Sequence, residues 1–416
     1  MNTVKSFLII ALLSMSSFVF SQSGWQVVTD SIPNFYLETI QMTSLNTGYA
    51  CGSFINSSGS FFRTTNGGTN WLRTDYQNLS VDDIFFLNDM TGYVIGYTSS
   101  PFYPGKILMT TDGGLTWGRS DSVAYFNLFK IKFYDANTGF IAGKTGKAFV
   151  TTNGGTNWTD RSLIFTWNAP VDIWCLTADK WFLGDGQRLN VTTNQGFNWT
   201  SDYGIAANTF YFINGTTGFC GGVGSIYKTT NSGVSWIAIF TNDSTNSIGL
   251  QFTDNNTGYS VNWSPNRISK TTNGGYNWTF LPAISNMNFL CLSFVNNLTG
   301  FAAGYYGRIY KTTNGGSVFV SNISNKIPDR FELGQNYPNP FNQSTIFNLQ
   351  CSMKSDVTVK VYDAAGREVQ TLVNEMLEPG TYQVRFDGSG LSSGLFYYRM
   401  TVDGRQAAVK KMIMIK

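Results

Sequence analysis

The chain contains no histidine. That removes Ser-His-Asp and Cys-His nucleophilic catalysis and every histidine-ligated metal site. Charge is sparse, at 13% of 416 residues with a net +3, too small an excess to argue for nucleic acid. Residues 23–320 carry 16 basic and 16 acidic side chains, among them a single glutamate, Glu38. The five cysteines, Cys51, Cys175, Cys220, Cys291 and Cys351, are odd in number and form no Cys-x-x-Cys pair, so they predict neither a disulfide framework nor zinc. They read as buried strand residues. Only the first 21 residues hold a sustained apolar run. Lys5 precedes Phe7–Met15, and Val19 and Ser21 stand at the −3 and −1 positions of a cleavage site. Residues 1–21 are therefore expected to be a signal peptide.

What is abundant is glycine, 43 residues, and aromatic side chains, 16%. This profile predicts an all-β protein long enough for two domains. Its organising feature is an eight-residue stretch, TTNGGTNW at Thr64–Trp71. It recurs as Thr110–Trp117, Thr151–Trp158, Thr192–Trp199, Thr229–Trp236 and Thr271–Trp278, and without its tryptophan as Thr312–Phe319. A second signature, Thr-Gly-aromatic, lies upstream at Thr47–Tyr49, Thr91–Tyr93, Thr138–Phe140, Thr217–Phe219, Thr257–Tyr259 and Thr299–Phe301; the fourth copy reads ADKWF at Ala178–Phe182. A period of about 40 residues suits a four-stranded blade. Seven copies predict a seven-bladed β-propeller over residues 22–320. Each blade has a Thr-Gly hairpin between its first two strands and an Asn-Gly-Gly hairpin between its last two. The tryptophan is expected to pack between neighbouring blades. The last repeat lacks its final strand, and Trp25–Asp30, WQVVTD, is expected to supply it and join the two ends of the chain.

TTDGGLTW at Thr110–Trp117 fits the Asp box of bacterial neuraminidase repeats. With the Thr-Gly-aromatic signature, the repeats resemble the photosystem II assembly/stability factor family and related exported propellers. That resemblance implies a fold, not an activity. After a polar linker, residues 321–333, NYPNPFN at Asn336–Asn342 opens alternating segments that include VTVKVYDAAGREV at Val357–Val369 and KKMIMIK at Lys410–Lys416. Residues 334–416 are expected to form a small Ig-like β-sandwich. They resemble the type A C-terminal sorting domain of the type IX secretion system. The resemblance implies passage through the periplasm, recognition by that machinery, translocation across the outer membrane, and release or surface anchoring.

No catalytic, metal or cofactor residues are expected. The sialidase resemblance requires an arginine triad, a tyrosine–glutamate pair and an Arg-Ile-Pro signature, which is absent. Glycosidases generally need two facing carboxylates. Asp82 and Asp83 are the one adjacent acidic pair of the repeats, and neighbours on a strand point to opposite faces. DANTG at Asp135–Gly139 and DNNTG at Asp254–Gly258 read as Asx turns rather than calcium loops. GFIAGKT at Gly139–Thr145 has the wrong spacing for a phosphate loop. What recurs instead is a basic residue four positions before the Thr-Thr pair: Lys106, Lys147, Arg188, Arg267 and Arg308, with Ser60 and Ser225 in the other repeats. This position begins a third strand. Aromatics crowd the same loops, namely Phe102, Tyr103, Trp167, Trp263, Tyr305 and Tyr306. A basic-aromatic face suits an unidentified acidic protein, glycan or polymer, unless these are solvated strand ends with packed stems. The expected function is a secreted or cell-surface, non-catalytic binding or scaffolding module. The alternative is an extracellular glycan hydrolase of the neuraminidase-repeat type.

Overall fold

The computed structural model describes residues 24–416 except 56–57, 99–103, 124–126, 163–169, 265, 282–283, 285–286, 317–319 and 389–390. The expected signal peptide, Phe102, Tyr103 and Trp167 lie outside the described residues.

Each repeat folds as a strand meander. Phe35–Met42, Gly48–Phe54, Gly59–Thr64 and Leu72–Tyr76 form one four-stranded antiparallel sheet in sequence order, and the second, third and fourth repeats repeat that order. The fifth and sixth run together in a six-stranded sheet, because Ile237–Phe252 serves as the last strand of one and the first of the next. The seventh consists of Phe289–Phe294, Gly300–Gly304 and Ile309–Thr312. Its fourth strand is Gln26–Val27, paired with Lys311 and Tyr310. The N-terminal stretch thus takes the place predicted for it.

The recurring turn explains its own sequence. Thr64 Oγ1 donates to Asn66 Oδ1 at 3.0 Å and accepts from Gly68 N at 2.9 Å, while Asn70 N donates to Asn66 Oδ1 at 3.0 Å. The two threonine bonds recur at Thr312, Asn314 and Gly316 in the last repeat. Gly67 and Gly68 sit at φ of 64° and 77°, where a Cβ is strained. Gln195 and Ser232 replace that first glycine at φ of 56° and 61°. Each is tied to the partner turn of its own repeat, Gln195 Nε2 to Asp179 and Ser232 Oγ to Gly215 O. In Asp135–Gly139, Asp135 Oδ1 accepts from Asn137 N and Thr138 N, an Asx turn. Asp254 does the same for Asn256 and Thr257.

The core lies between sheets, not within them. In four repeats the aromatic after Thr-Gly stacks on a phenylalanine of the next repeat: Tyr49 on Phe86 at 3.5 Å and 4°, Tyr93 on Phe133 at 4.2 Å, Phe219 on Phe252 at 3.9 Å and Tyr259 on Phe294 at 3.5 Å. Most of the turn tryptophans meet these rings edge-on. Trp117 meets Phe61 of the preceding repeat at 5.1 Å and 84°, and Trp236 meets Phe182 at 6.0 Å and 89°. One cluster joins Phe35, Leu37 and Phe62 of the first repeat to Phe301, Ala303 and Ile309 of the last, so the succession of sheet contacts returns to its start. The cysteines are free thiols, with Cys51, Cys220 and Cys351 buried.

A separate core holds the C-terminal region. Two four-stranded sheets enclose Phe347, Leu349, Val357, Val359, Tyr398, Met400, Met412 and Met414. The stretch read from sequence as a linker differs in part: Val320–Ser324 pairs with Thr381–Val384, and Glu332–Leu333 pairs with Leu349–Gln350. An edge strand needs only its backbone groups satisfied, so its polar sequence gave no apolar alternation to detect. The NYPNPFN motif secures the end of the chain. Asn336 Nδ2 donates to Pro338 O and Thr345 Oγ1, Ile413 N donates to Asn339 Oδ1, and Phe341 exchanges backbone hydrogen bonds with Ile413 and Ile415. Among the described residues no helix is long and apolar enough to cross a membrane.

Candidate binding face and central channel

The first strands of all seven repeats line one cavity of about 390 Å³. Most of them share an irregularity that the sequence conceals. The ladder skips one residue at Glu38, Asp82, Phe129, Asn208, Ile248 and Leu290, each a β-bulge. In the fourth repeat Val171 N and the Asp172 pairing both fall on Gly184. A bulge leaves its extra residue unpaired and re-aims the side chains beside it. The alternation argument for Asp82 and Asp83 therefore fails. Glu38, Asp82, Asp83 and Lys130 form one electrostatically coupled group, of which Glu38, Asp83 and Lys130 line the channel.

Two of the channel carboxylates hold the sheets together. Thr39 Oγ1 donates to Asp83 Oδ1 at 2.6 Å, and Ile131 N donates to Asp83 Oδ2 at 2.9 Å, so one carboxylate spans three consecutive repeats. Asp172 accepts from Ile173 N through Oδ1 and from Phe210 N of the next repeat through Oδ2, each at 2.8 Å. Gln41 bonds both backbone groups of Phe86, and Gln251 both of Phe294, as an added strand would. Ser293 Oγ accepts from Met42 N, carrying the pattern from the last repeat to the first. Glu38 and Asp82 have no such duty. Glu38 is open to the channel yet ringed by protein, and that burial pushes its carboxyl up against the opposing pull of Lys130. Asp82 is pushed up to about 8, first by burial and then by Glu38, and its Oδ2 is buried without a hydrogen-bond partner. For Lys130, burial alone would lower the ammonium, but Asp83, Asp172 and Glu38 outweigh it and raise it. Among the described residues no three acidic or cysteine side chains are placed to hold a metal.

The expected basic positions sit where their strands begin, but their charges are unequal. Arg188 Nε lies 2.8 Å from Asp185 Oδ2, its Nη1 donates to Tyr203 Oη at 2.9 Å, and the aspartate bond leads in raising its guanidinium further. Lys147 Nζ is 3.9 Å from Asp160. Lys106 and Arg308 are half-buried, and Arg267 is exposed. The aromatics of this face do gather. Tyr305 stands 4.7 Å from Tyr36, 6.2 Å from Trp263 and 6.4 Å from Tyr306, at interplanar angles of 72°, 68° and 81°. Tyr36 and Tyr305 also form a backbone bridge between the first and last repeats. Tyr306 sits at φ 62°, a costly conformation for a large side chain. Sequence reasoning missed Tyr36, one tyrosine among 21, and had no signal for its partner across the chain ends.

A succession of four-stranded meanders around a shared channel defines a β-propeller, and solved structures agree. YCF48 bound to D1 peptide matches with a TM-score of 0.56 at 16% identity, over 71% of this chain and 99% of that one. PorZ, a surface component of the type-IX secretion system of Porphyromonas gingivalis, matches with a TM-score of 0.54 at 13% identity, over 93% of this chain and 60% of that one. An ancestral GH74 enzyme matches with a TM-score of 0.51 at 13% identity, over 96% of this chain and 64% of that one. At these identities the likeness shows the fold alone. No curated protein matches the chain. Residues 335–416 match the family described as secretion system C-terminal sorting domain. The chain is thus an all-β protein that combines a β-propeller with a C-terminal secretion sorting domain.

Proposed function

We propose that this protein is an exported, non-catalytic binding module: a seven-bladed propeller over residues 22–320 carried out by an Ig-like sorting domain over residues 334–416. The sorting domain supports export through the type IX system to the cell surface or the medium. One observation carries the non-catalytic reading. Asp83 and Asp172, two carboxylates that line the channel, have both oxygens engaged by hydrogen bonds, Asp83 to the repeats on either side and Asp172 to Ile173 N and to Phe210 N of the next repeat. A hydrolase needs two carboxylates free to act on a scissile bond. The binding face is the one bearing Trp263, Tyr305, Tyr306, Arg267 and Arg308. The fold of YCF48, solved with a peptide, and that of PorZ, a surface component, are consistent with such a role.

The hydrolase alternative retains Glu38 and Asp82, since an acid raised to about 8 fits a proton donor. A direct comparison separates the readings. The mature chain is presented with a glycan panel and, in parallel, cross-linked on the surface of its own cells. Retention of a partner that is lost in Trp263→Leu, without release of sugar, is the expected result. Sugar release abolished by Glu38→Gln overturns it. For export, a chain ending at residue 334 is expected to stay in the periplasm. Removing only Lys410–Lys416 is a poorer probe, because Met412 and Met414 belong to the sandwich core. Normal surface levels of the chain ending at 334 would refute the export route.

A further inference from the structure

The aromatic group around Tyr305 and the unengaged carboxylate of Glu38 meet at one mouth of the channel. Glu38 follows Tyr36 by two positions on the same strand, at the bulge, and it acts electrostatically on Tyr305. The four rings are arranged unlike the inter-sheet stacks. Tyr49 and Phe86 lie flat on each other, whereas Tyr36, Trp263 and Tyr306 stand steeply to Tyr305. Trp263 and Tyr306 remain 49% and 47% exposed. Steep, half-exposed rings offer several π faces to one guest, and a π face attracts a cation.

Charge selects the guest. Glu38, Asp83 and Asp172 line the channel with Lys130 and Lys132, and Asp82 adds a fourth carboxyl beside Glu38. The one cation acting on Glu38 is Lys130, which Asp83 and Asp172 also draw on. An anion would meet Glu38. An apolar group would strip water from Glu38 without replacing its hydrogen bonds. A bare metal ion lacks its cluster of ligands among the described residues. An organic cation satisfies both the rings and the Glu38 carboxylate.

We propose that the mouth bordered by Tyr36, Glu38, Trp263, Tyr305 and Tyr306 receives a basic side chain, lysine or arginine, of the protein partner. This rests on the binding reading above and gives its partner a local sign opposite to the one the basic positions suggested. Arg188 and Lys147 lie within ion-pair distance of Asp185 and Asp160, whereas Glu38 faces the channel. The aliphatic stem of such a residue would lie along the rings while its charged tip reaches Glu38.

The test uses the full mature chain labelled with ¹⁵N at its 11 indoles. The Trp263 resonance is identified by its loss in Trp263→Leu. The probes are blocked Gly-Lys-Gly and Gly-Arg-Gly peptides, their Gln and Glu counterparts, and butylammonium. The Lys and Arg peptides are expected to shift the Trp263 signal saturably, and the Gln and Glu peptides not to. Glu38→Gln and Tyr305→Leu are each expected to weaken binding about tenfold, the scale of one charge-assisted or cation–π contact. Should Glu38→Gln not fold, Trp263→Leu replaces an exposed side chain and is followed by calorimetry. Equal shifts with the Gln peptide, unchanged affinity in both Glu38→Gln and Tyr305→Leu, or shifts confined to other indoles overturn the proposal. Butylammonium binding as tightly as the Lys peptide overturns the protein source of the cation. Absence of any cationic binding alongside a retained surface partner removes this inference alone, whereas sugar release removes the binding reading beneath it.

Discussion

Replacing Trp25 by alanine should loosen the whole propeller, although only a two-residue strand follows it. Trp25 is 2% exposed and packs on Phe289 at 6.4 Å and Phe294 at 5.9 Å, the latter at 86°. Its indole occupies the space over Gly316, where an added Cβ would stand 2.6 Å from Nε1. A buried tryptophan covers roughly 150–250 Å², worth about 4–6 kcal/mol at ~25 cal/mol per Å². Measured truncations of this size cost about 3–5 kcal/mol. The strand that Trp25 anchors has few other holds: two ladder pairs, Val28 N donating to Ile309 O, and Thr29 Oγ1 between Ile309 N and Gly307 O. Losing the anchor should therefore expose the edge of Ile309–Thr312 as well. The measurement is convenient, because all 11 tryptophans precede residue 279 and the sorting domain has none. Denaturant melts followed by tryptophan emission thus report the propeller alone. We expect a midpoint loss equivalent to about 3–5 kcal/mol for Trp25→Ala, and less than about 0.5 kcal/mol for the exposed Trp263→Leu. If the two variants melt within about 1 kcal/mol of each other, the junction of the chain ends is not what holds the first and last sheets together.

Two further substitutions probe the channel. Asp83→Asn puts an amide donor where the carboxylate accepts from Thr39 and Ile131 N, and should cost about 2–4 kcal/mol in the same melts; an unchanged midpoint would deny its role across three repeats. Asp82→Asn should do the reverse in a pH-dependent way. Because the folded carboxyl is raised to about 8 from the ordinary aspartate value of 3.8, the folded state holds a proton that the unfolded state has shed between those values. Wild-type stability should then fall as pH rises through that window. Asparagine mimics the protonated form, so the variant should gain about 2–4 kcal/mol on wild type between pH 5 and pH 8.5. A difference independent of pH would refute the assignment.

Much of the scaffold was legible because it is written locally. Thr64, Asn66 and Gly68 satisfy one another within a single turn, so the turn needs those residues wherever it occurs. Tyr49 and its counterparts fill the same inter-sheet space in repeat after repeat, which fixes an aromatic after each Thr-Gly. The channel was not legible, for the opposite reason. A bulge inserts one residue into a pattern of period two, and nothing in Ser80–Phe86 announces where. Glu38 and the adjacent Asp82 and Asp83 stood out as rare acids, but their shared location depended on that single slip. The partner of Tyr36 lay 269 positions away, at Tyr305, and no local spacing could connect them. Val320–Ser324 escaped detection because an edge strand asks little of its side chains.

The bulges also bear on how such a protein could change its taste. Each places one side chain outside the ladder, so its identity is released from the demands of strand pairing. Around the channel these positions spell Glu38, Asp82, Phe129, Asn208, Ile248 and Leu290, in six of the repeats. They work like the pins of a lock: each can be recut while the barrel that carries them stays the same. Acids occupy two neighbouring pins and the others are neutral, which gives the set a polarity that its repeating frame does not have. Selectivity could then drift by single substitutions at these sites, and a propeller of this kind could be rekeyed for a new guest without redesigning a single sheet.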